Sequence, residues 1–214
     1  LHAHGVNRLP KLALTQGDMR DLGGAPLVCD VFSISKVFTS PANFRSSVYR
    51  KTISMLDQTP DRHQVVSGGD TIGIWRVLYP MATNHFSQAD DNSLVLMGEI
   101  HGARILLLSD LGGMGQDDLL NRTNDLRADI VVAGLPEKGE TVGNALLNAI
   151  QPKVIIVADS EFPATKRASP ALQERLKQTG IPVIYTRNAG AVTIVTRPDG
   201  WELRTMAGCN FADR

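Results

Sequence analysis

Cysteine is scarce in this sequence. Of its 214 residues only Cys29 and Cys209 carry a thiol, too few for a zinc-type cysteine cluster and uninformative about redox compartment. Long apolar runs are missing too: none reaches the roughly 18 residues that a membrane-spanning helix requires, and no signal-peptide pattern opens the chain. Net charge is absent, with 22 basic against 22 acidic residues, which argues against a generic polyanion binder while leaving room for a local basic patch. Histidine is confined to His2, His4, His63, His85 and His101, so nothing after residue 101 offers an imidazole. Low-complexity tracts, charge blocks and evident internal repeats are also lacking.

What remains is an ordinary globular composition, 43% hydrophobic, long enough to bury a core without staples. The chain opens on Leu1, which suggests a piece of something larger. A single domain over 1–214 is expected. Leu1–Gly5 reads as a helix end and Leu12–Leu14 as a short strand. A polar, glycine-rich stretch follows from Thr15 to Gly24, where α/β proteins collect their chemistry. Ala25–Phe32 and Asn43–Leu56 read as helices and Lys36–Thr39 as a strand end. Val65-Val66 and Ile72–Leu78 read as strands. Ser93–Met97 and Arg104–Leu108 read as strands joined by a Gly98/Gly102 connection.

Asp117–Leu126 then reads as a helix. The C-terminal half alternates: strand Ile130–Ala133, helix Thr141–Ile150, strand Lys153–Ala158, helix Pro170–Thr179 and strand Val183–Thr186. A hairpin, Val192–Thr196 with Trp201–Arg204, closes the chain. Strands alternating with helices imply a layered α/β protein.

Several short motifs occur in order. Gly5-Val6-Asn7-Arg8-Leu9 and Leu12-Ala13-Leu14-Thr15 lead through Gly17-Asp18 to Leu22-Gly23-Gly24-Ala25-Pro26. Asp91-Asn92-Ser93-Leu94-Val95-Leu96 follows, then Arg104–Asp110 as a strand ending in an aspartate, then Asp129–Val132, Gln151-Pro152-Lys153 and Pro170–Gly180. In this order they resemble the metallo-β-lactamase-fold domain at the C-terminus of the ComEC family of competence proteins, membrane proteins that take up DNA. The resemblance implies an αββα sandwich whose leading strands precede Leu1. It also implies a soluble, extracytoplasmic domain of a bacterial inner-membrane protein.

Measured against that resemblance, the metal motifs are depleted. The family's first motif falls on Gln16, Asp18, Arg20 and Asp21. Glutamine is a poor zinc ligand, and arginine, always protonated, is none. Two further histidine positions fall on Leu135 and Ser169, so only Asp18 and Asp110 remain as weak metal candidates. A dizinc centre is therefore not expected, and Arg20 is expected to pair with the acids of the emptied site. The expected function is a non-catalytic binding or structural module, with no cofactor and with the rest of a larger membrane protein, and possibly DNA, as partners. The rival is a Mn²⁺- or Mg²⁺-dependent phosphodiesterase or nuclease using Asp18, Asp21 and Asp110 as oxygen ligands.

Other features have plainer readings. Asp18 and Asp21 also suit helix capping. Arg45, Arg50 and Lys51 could meet nucleic-acid phosphates or simply form a solvated helix face. Gly112–Gly115 fails the dinucleotide fingerprint, because Asp118 stands where the third glycine belongs, and reads as a turn into a helix. A nucleotide-binding loop there is a third, weaker reading. Trp75 and Trp201 suit packing, Cys29 a buried thiol, and His85 and His101 solvated turns.

Overall fold

The computed structural model describes residues 5–18, 22–208 and 210–213. His2, His4, Arg20, Asp21 and Cys209, and all of the helix end expected over Leu1–Gly5 except Gly5, lie outside the described residues.

Three sheets organise the chain. β1 (Lys11–Leu14), β2 (Lys36–Thr39) and β3 (His63–Val65) form a small parallel sheet in that order. A seven-stranded sheet comprises β4 (Thr71–Ile72), β5 (Trp75–Tyr79), β6 (Val95–Ile100), β7 (Ala103–Ser109), β8 (Ile130–Ala133), β9 (Val154–Val157) and β10 (Val183–Tyr185). Its order across is β10-β9-β8-β7-β6-β5-β4. β7 to β10 run parallel, and β4 to β7 pair antiparallel. A third, antiparallel sheet contains β11 (Val192–Arg197), β12 (Gly200–Thr205) and β13 (Asn210–Asp213).

Strand periodicity decides how these sheets are covered, because alternate side chains face opposite sides. On the large sheet Val95, Met97, Leu106, Leu108, Val131 and Ile155 point to one side. They pack with the apolar faces of α3 (Gly113–Arg122), α4 (Asn144–Ile150) and α5 (Pro170–Gln178). On the opposite side, Val77 and Leu96 meet Phe38 of β2, while Ile105, Ile130 and Ile156 meet Trp201 and Leu203 of β12. The far side of the small sheet, with Leu14 and Val37, is covered by α1 (Ala25–Val31) and α2 (Ser47–Leu56). The chain is thus a mixed α/β protein whose parallel half arises from the expected strand–helix alternation.

Several boundaries differ from the sequence expectation, each for a local reason. The segment 72–78 is two strands rather than one: Ile72 pairs with Trp75 around Gly73-Ile74, and Gly73 has φ +65°, as a two-residue hairpin turn requires. The 93–108 hairpin turns at His101-Gly102, with φ +51° and +81°, while Gly98 lies inside β6. α2 starts at Ser47 because Ser46 caps it, its hydroxyl accepting the Tyr49 N–H. α3 covers 113–122 rather than 117–126, since its opening glycines lie against the Asp90–Asn92 turn. A Cβ on Gly112 would sit 2.4 Å from Asp91 Oδ1, and one on Gly115 2.9 Å from the Asp91 carbonyl oxygen. That turn and its continuation to Leu94 precede the strand expected from 93, which starts at Val95. α4 begins at Asn144, not Thr141. A short α6 (Thr186–Ala189) and β13 have no counterpart in the sequence reading.

Gly98 provides a direct test of the packing on β6. A Cβ there would lie 2.7 Å from the Trp75 ring. Gly98→Val is expected to cost about 1–3 kcal/mol through overpacking. In a chain of this size that lowers the melting temperature by about 3–10 °C in a circular-dichroism melt. Trp75→Leu in the same background should recover much of the loss; no recovery would mean that the ring is not what limits the position.

Candidate functional site

The parallel strands of the large sheet end together, and buried carboxylates gather there. Asp110 follows β7 and is 7% exposed. The chain reaches it through Ser109, a non-glycine residue at φ +52°, beside a register irregularity between β7 and β8. Gly134, just past β8, leaves it room: a Cβ there would fall 1.6 Å from Asp110 Oδ1. No residue with a side chain fits without moving the carboxylate.

The loop after β1 comes to the same place from 94 residues away in sequence. Leu94 N–H donates to the Thr15 carbonyl at 2.7 Å, joining the small sheet's loop to the large sheet. Thr15 Oγ1 and Ser109 Oγ are 2.8 Å apart, and Gln16 Nε2 donates to Asp110 Oδ2 at 3.1 Å. Gln16 is itself buried. The position on which the resemblance puts a first metal motif thus meets Asp110 through an amide.

The principal partner of Asp110 is Lys166, whose ammonium bonds directly to Asp110 Oδ2 and lies 3.5 Å from the Leu135 carbonyl. Both side chains are largely buried, at 13% and 10% exposure. Lys166 belongs to the 3-10 turn Ala164–Lys166, which backbone hydrogen bonds hold in place. Ser160 N–H donates to the Lys166 carbonyl and Lys166 N–H to the Pro163 carbonyl. The start of this loop is anchored by Asp159, a buried carboxylate that accepts Arg187 N–H at 2.9 Å and the more distant Ala168 N–H at 3.5 Å. Arg20, expected to pair with the acids of the emptied site, lies outside the described residues; Asp110 takes its cation from a lysine 56 positions further along.

The adjoining turn is equally ordered. Asp90 Oδ2 accepts the Glu137 N–H at 2.6 Å, and Asp91 Oδ1 accepts that of Gly115 at 3.1 Å. Tyr79 donates its hydroxyl to the Asp91 carbonyl, and Asn92 grips Phe86 and Gln88 through three hydrogen bonds. The N–H of Gly112 donates to the Asp90 carbonyl, so the glycines of 112–115 serve this turn. Burial raises the Asp90 pKa to about 6, opposed by the Glu137 N–H; Asp110 raises it further and Lys166 lowers it.

The expected site residues divide accordingly. Asp110 is at the centre of the cluster. Asp18 is half-buried and lines a different space, a cleft of about 620 Å³ shared with Gly17, Phe44, Arg45, Asn84 and Phe86. Arg45 is thus brought to the Asp18 loop, whereas Arg50 and Lys51 lie exposed on α2. Leu135 and Ser169, the two substituted histidine positions, both line a second cavity of about 430 Å³. Ser169 also caps α5, accepting the Leu172 N–H. Among the described residues no group of three or more His, Cys, Asp or Glu side chains is placed to hold a metal ion. A divalent cation also fits the Asp110 surroundings poorly, since a protonated ammonium and an amide N–H already point at the carboxylate oxygen it would take.

Sequence reasoning missed Lys166, Asp90 and the pairing of His63 with Asp57 and Thr39. The nearest signal for Lys166 was its place three residues before Ser169, in the loop where the resemblance would put a ligand. Cys29, Trp75, Trp201, His85 and His101 take the buried, half-buried or exposed positions expected of them.

No family model matches the chain. It is similar to ComE operon protein 3 of Bacillus subtilis (strain 168), with 22% identity over 196 residues, and to competence protein ComA of Neisseria gonorrhoeae, with 25% identity over 196 residues. Each match covers 90% of this chain. The chain spans about a quarter of the length of these curated relatives. The similarity supports a ComEC-like relationship.

Two outcomes follow from the geometry. Lys166→Met leaves the Asp110 charge buried without its cation and should cost about 3–5 kcal/mol in denaturant unfolding. Lys166→Met with Asp110→Asn should recover most of that loss; a double-variant loss equal to the sum of the two single losses would show the pair to be uncoupled. Asp90 binds its proton near pH 6 when folded and near 3.8 when unfolded. The native state therefore holds the extra proton between those values, and this group stabilises the protein as pH falls from 6 toward 4. Asp90→Asn should abolish that slope and raise stability at pH 8 by about 1–3 kcal/mol; an unchanged pH profile would contradict the assignment.

Proposed function

We propose that this chain is a metallo-β-lactamase-like domain of a larger ComEC-type membrane protein of DNA uptake, acting as a binding or structural module without hydrolytic activity. The observation that carries the non-catalytic reading is the Lys166–Asp110 pair. Asp110 stands where the resemblance puts the aspartate shared between two metals. An ammonium there neutralises the carboxylate but has no open coordination position and cannot polarise a bound water as a Lewis acid does.

The competence-related role rests on the likeness to the two relatives over most of this chain. The αββα reading is supported by the covering of the sheets: helices α3–α5 outside the large sheet, α1 and α2 outside the small one, and apolar contact between the two sheets. Among the described residues no helix is long and apolar enough to cross a membrane. A membrane anchor would then come from other parts of the protein, with this domain on the extracytoplasmic side.

The test is a cleavage assay on single- and double-stranded DNA with Mn²⁺ or Mg²⁺, beside elemental analysis of protein purified without chelators. The expected result is no divalent-dependent cleavage and metal well below one equivalent. Cleavage that depends on Mn²⁺ or Mg²⁺ and disappears in Asp110→Asn would overturn the non-catalytic reading in favour of the oxygen-ligand hydrolase.

A further inference from the structure

The middle strand of the large sheet is fully covered on one side only. β7 stands fourth of the seven strands, with three on either side. On the helix side Leu106 and Leu108 are 0% and 2% exposed, as packing over a central strand requires. Leu107, between them and facing the other way, is half-buried. Its register neighbour Val132 on β8 is half-buried too, whereas Leu96 and Ile156, the next positions outward in the same row, are buried. Trp75, whose ring lies against Gly98 of β6, is also half-buried. An apolar strip at the centre of the sheet is thus left partly open to water, at a cost proportional to its area.

This strip lies between two strand edges. β3 leads into Val66, which packs in one cluster with Ile72 of the outermost β4, so β1 is the inward edge of the small sheet. On the other side, Thr196 of β11 meets His101 at the β6–β7 turn, while Asp213 of β13 meets Lys153 beside β9. β11 is therefore the inward edge of the third sheet. Trp75 and Leu107 pack against both clusters, with Ala13 of β1 in one and Val192 and Ile194 of β11 in the other.

Both edges are bare. Among the described residues β1 pairs with β2 alone and β11 with β12 alone. Met206 N–H donates to the Ala191 carbonyl, which fixes the alternation along β11. Residues 193, 195 and 197 bond to β12, and the N–H and C=O groups of Val192, Ile194 and Thr196 point away from it, toward the strip. Residues 191–196 include no charged residue and no proline, so the edge carries none of the usual protection against an added strand.

Such edges above an apolar floor suit an extended strand, bonded through its main chain, with every second side chain apolar and turned toward Leu107 and Trp75. A floor at the centre of the main sheet needs cover whenever the protein is folded. A tethered segment provides that at high effective concentration, as a dissociating partner does not. This chain spans about a quarter of the length of its relatives, so proteins of that size hold ample chain for such a segment.

We infer that the strip between β1 and β11 seats an extended amphipathic β-segment from another part of the larger polypeptide, joining the small and third sheets into one layer. The inference rests on the reading of this chain as a domain of a larger protein. It goes beyond that reading by naming the edges and the floor that the rest of the protein occupies.

The experiment is amide hydrogen–deuterium exchange, resolved to single residues, on this chain alone at several concentrations and on the intact polypeptide that contains it. In the chain alone the N–H groups of Val192, Ile194 and Thr196 are expected to exchange about a hundredfold or more faster than those of Thr193 and Val195, the contrast between open and paired amides. In the intact protein that contrast is expected to vanish. Leu107→Gln in the intact protein should bring the fast exchange back, because the added strand loses its apolar floor. Val132→Thr, nearly isosteric, tests the same floor if Leu107→Gln does not fold, and the amides of α3 report on folding.

Fast exchange at Val192, Ile194 and Thr196 in the intact protein overturns the inference and leaves the larger-protein reading standing. Protection already present in the chain alone at every concentration overturns it too, since the edge is then not open. Protection that grows with concentration overturns it in favour of a second copy. Protection that persists in folded Leu107→Gln and Val132→Thr removes the strand from this floor. A native polypeptide no longer than this chain removes the larger-protein reading itself, and the inference with it.

Discussion

A carboxylate withdrawn from water must be matched by a cation or a set of donors, and the end of the large sheet where the parallel strands stop is arranged around one such match. Asp110 sits at the end of a central strand, shielded by the β1 loop, the β8 loop and the loop after β9. An isolated charge there would be intolerable on energetic grounds. Its neutralisation constrains neighbours that share no sequence proximity. Gly134 must stay without a side chain, Gln16 must present its amide, and the loop from Asp159 must fold so that Lys166 reaches inward. Remove the need for that pairing, and none of these three choices has an evident reason.

The resemblance to a metal-binding family makes the identity of the cation instructive. A divalent metal and a lysine ammonium both satisfy a buried carboxylate, yet they differ in what they permit next. The metal can accept further oxygen ligands; the ammonium only donates. At Asp110 the charge is closed internally, by a donor of the chain itself. The lysine comes from the same region of the chain in which the resemblance would place a histidine, so the loop still delivers the group that completes the cluster, with different chemistry.

How much of this was legible in the sequence depended on the range of the interactions. The alternation from Ile130 to Tyr185 was plain, because buried parallel strands and amphipathic helices have strong local patterns. Helix starts were less so: α3 begins at Gly113 because of contact with Asp91, more than twenty residues back, and no local pattern carries that information. Splitting of the 72–78 segment hinged on one left-handed glycine. The site was half legible. The motif order singled out Asp110 and the loss of histidines, but a lysine 56 residues away has no signature of its own. The raised pKa of Asp90 follows from burial, which composition does not reveal.

The strand lengths described for the large sheet also bear on how the protein behaves among its own copies. Its inner strands β6 and β7 are six and seven residues long, whereas the outermost, β4 and β10, have two and three. An open sheet exposes unpaired backbone groups along its margins, and a neighbouring chain can extend it there. Margins this short present too few donors and acceptors for a stable added strand, and β4 turns back at Gly73 almost as soon as it begins. The longest and most apolar strands are thereby kept in the interior, so a seven-stranded sheet can be carried without inviting fibrous polymerisation.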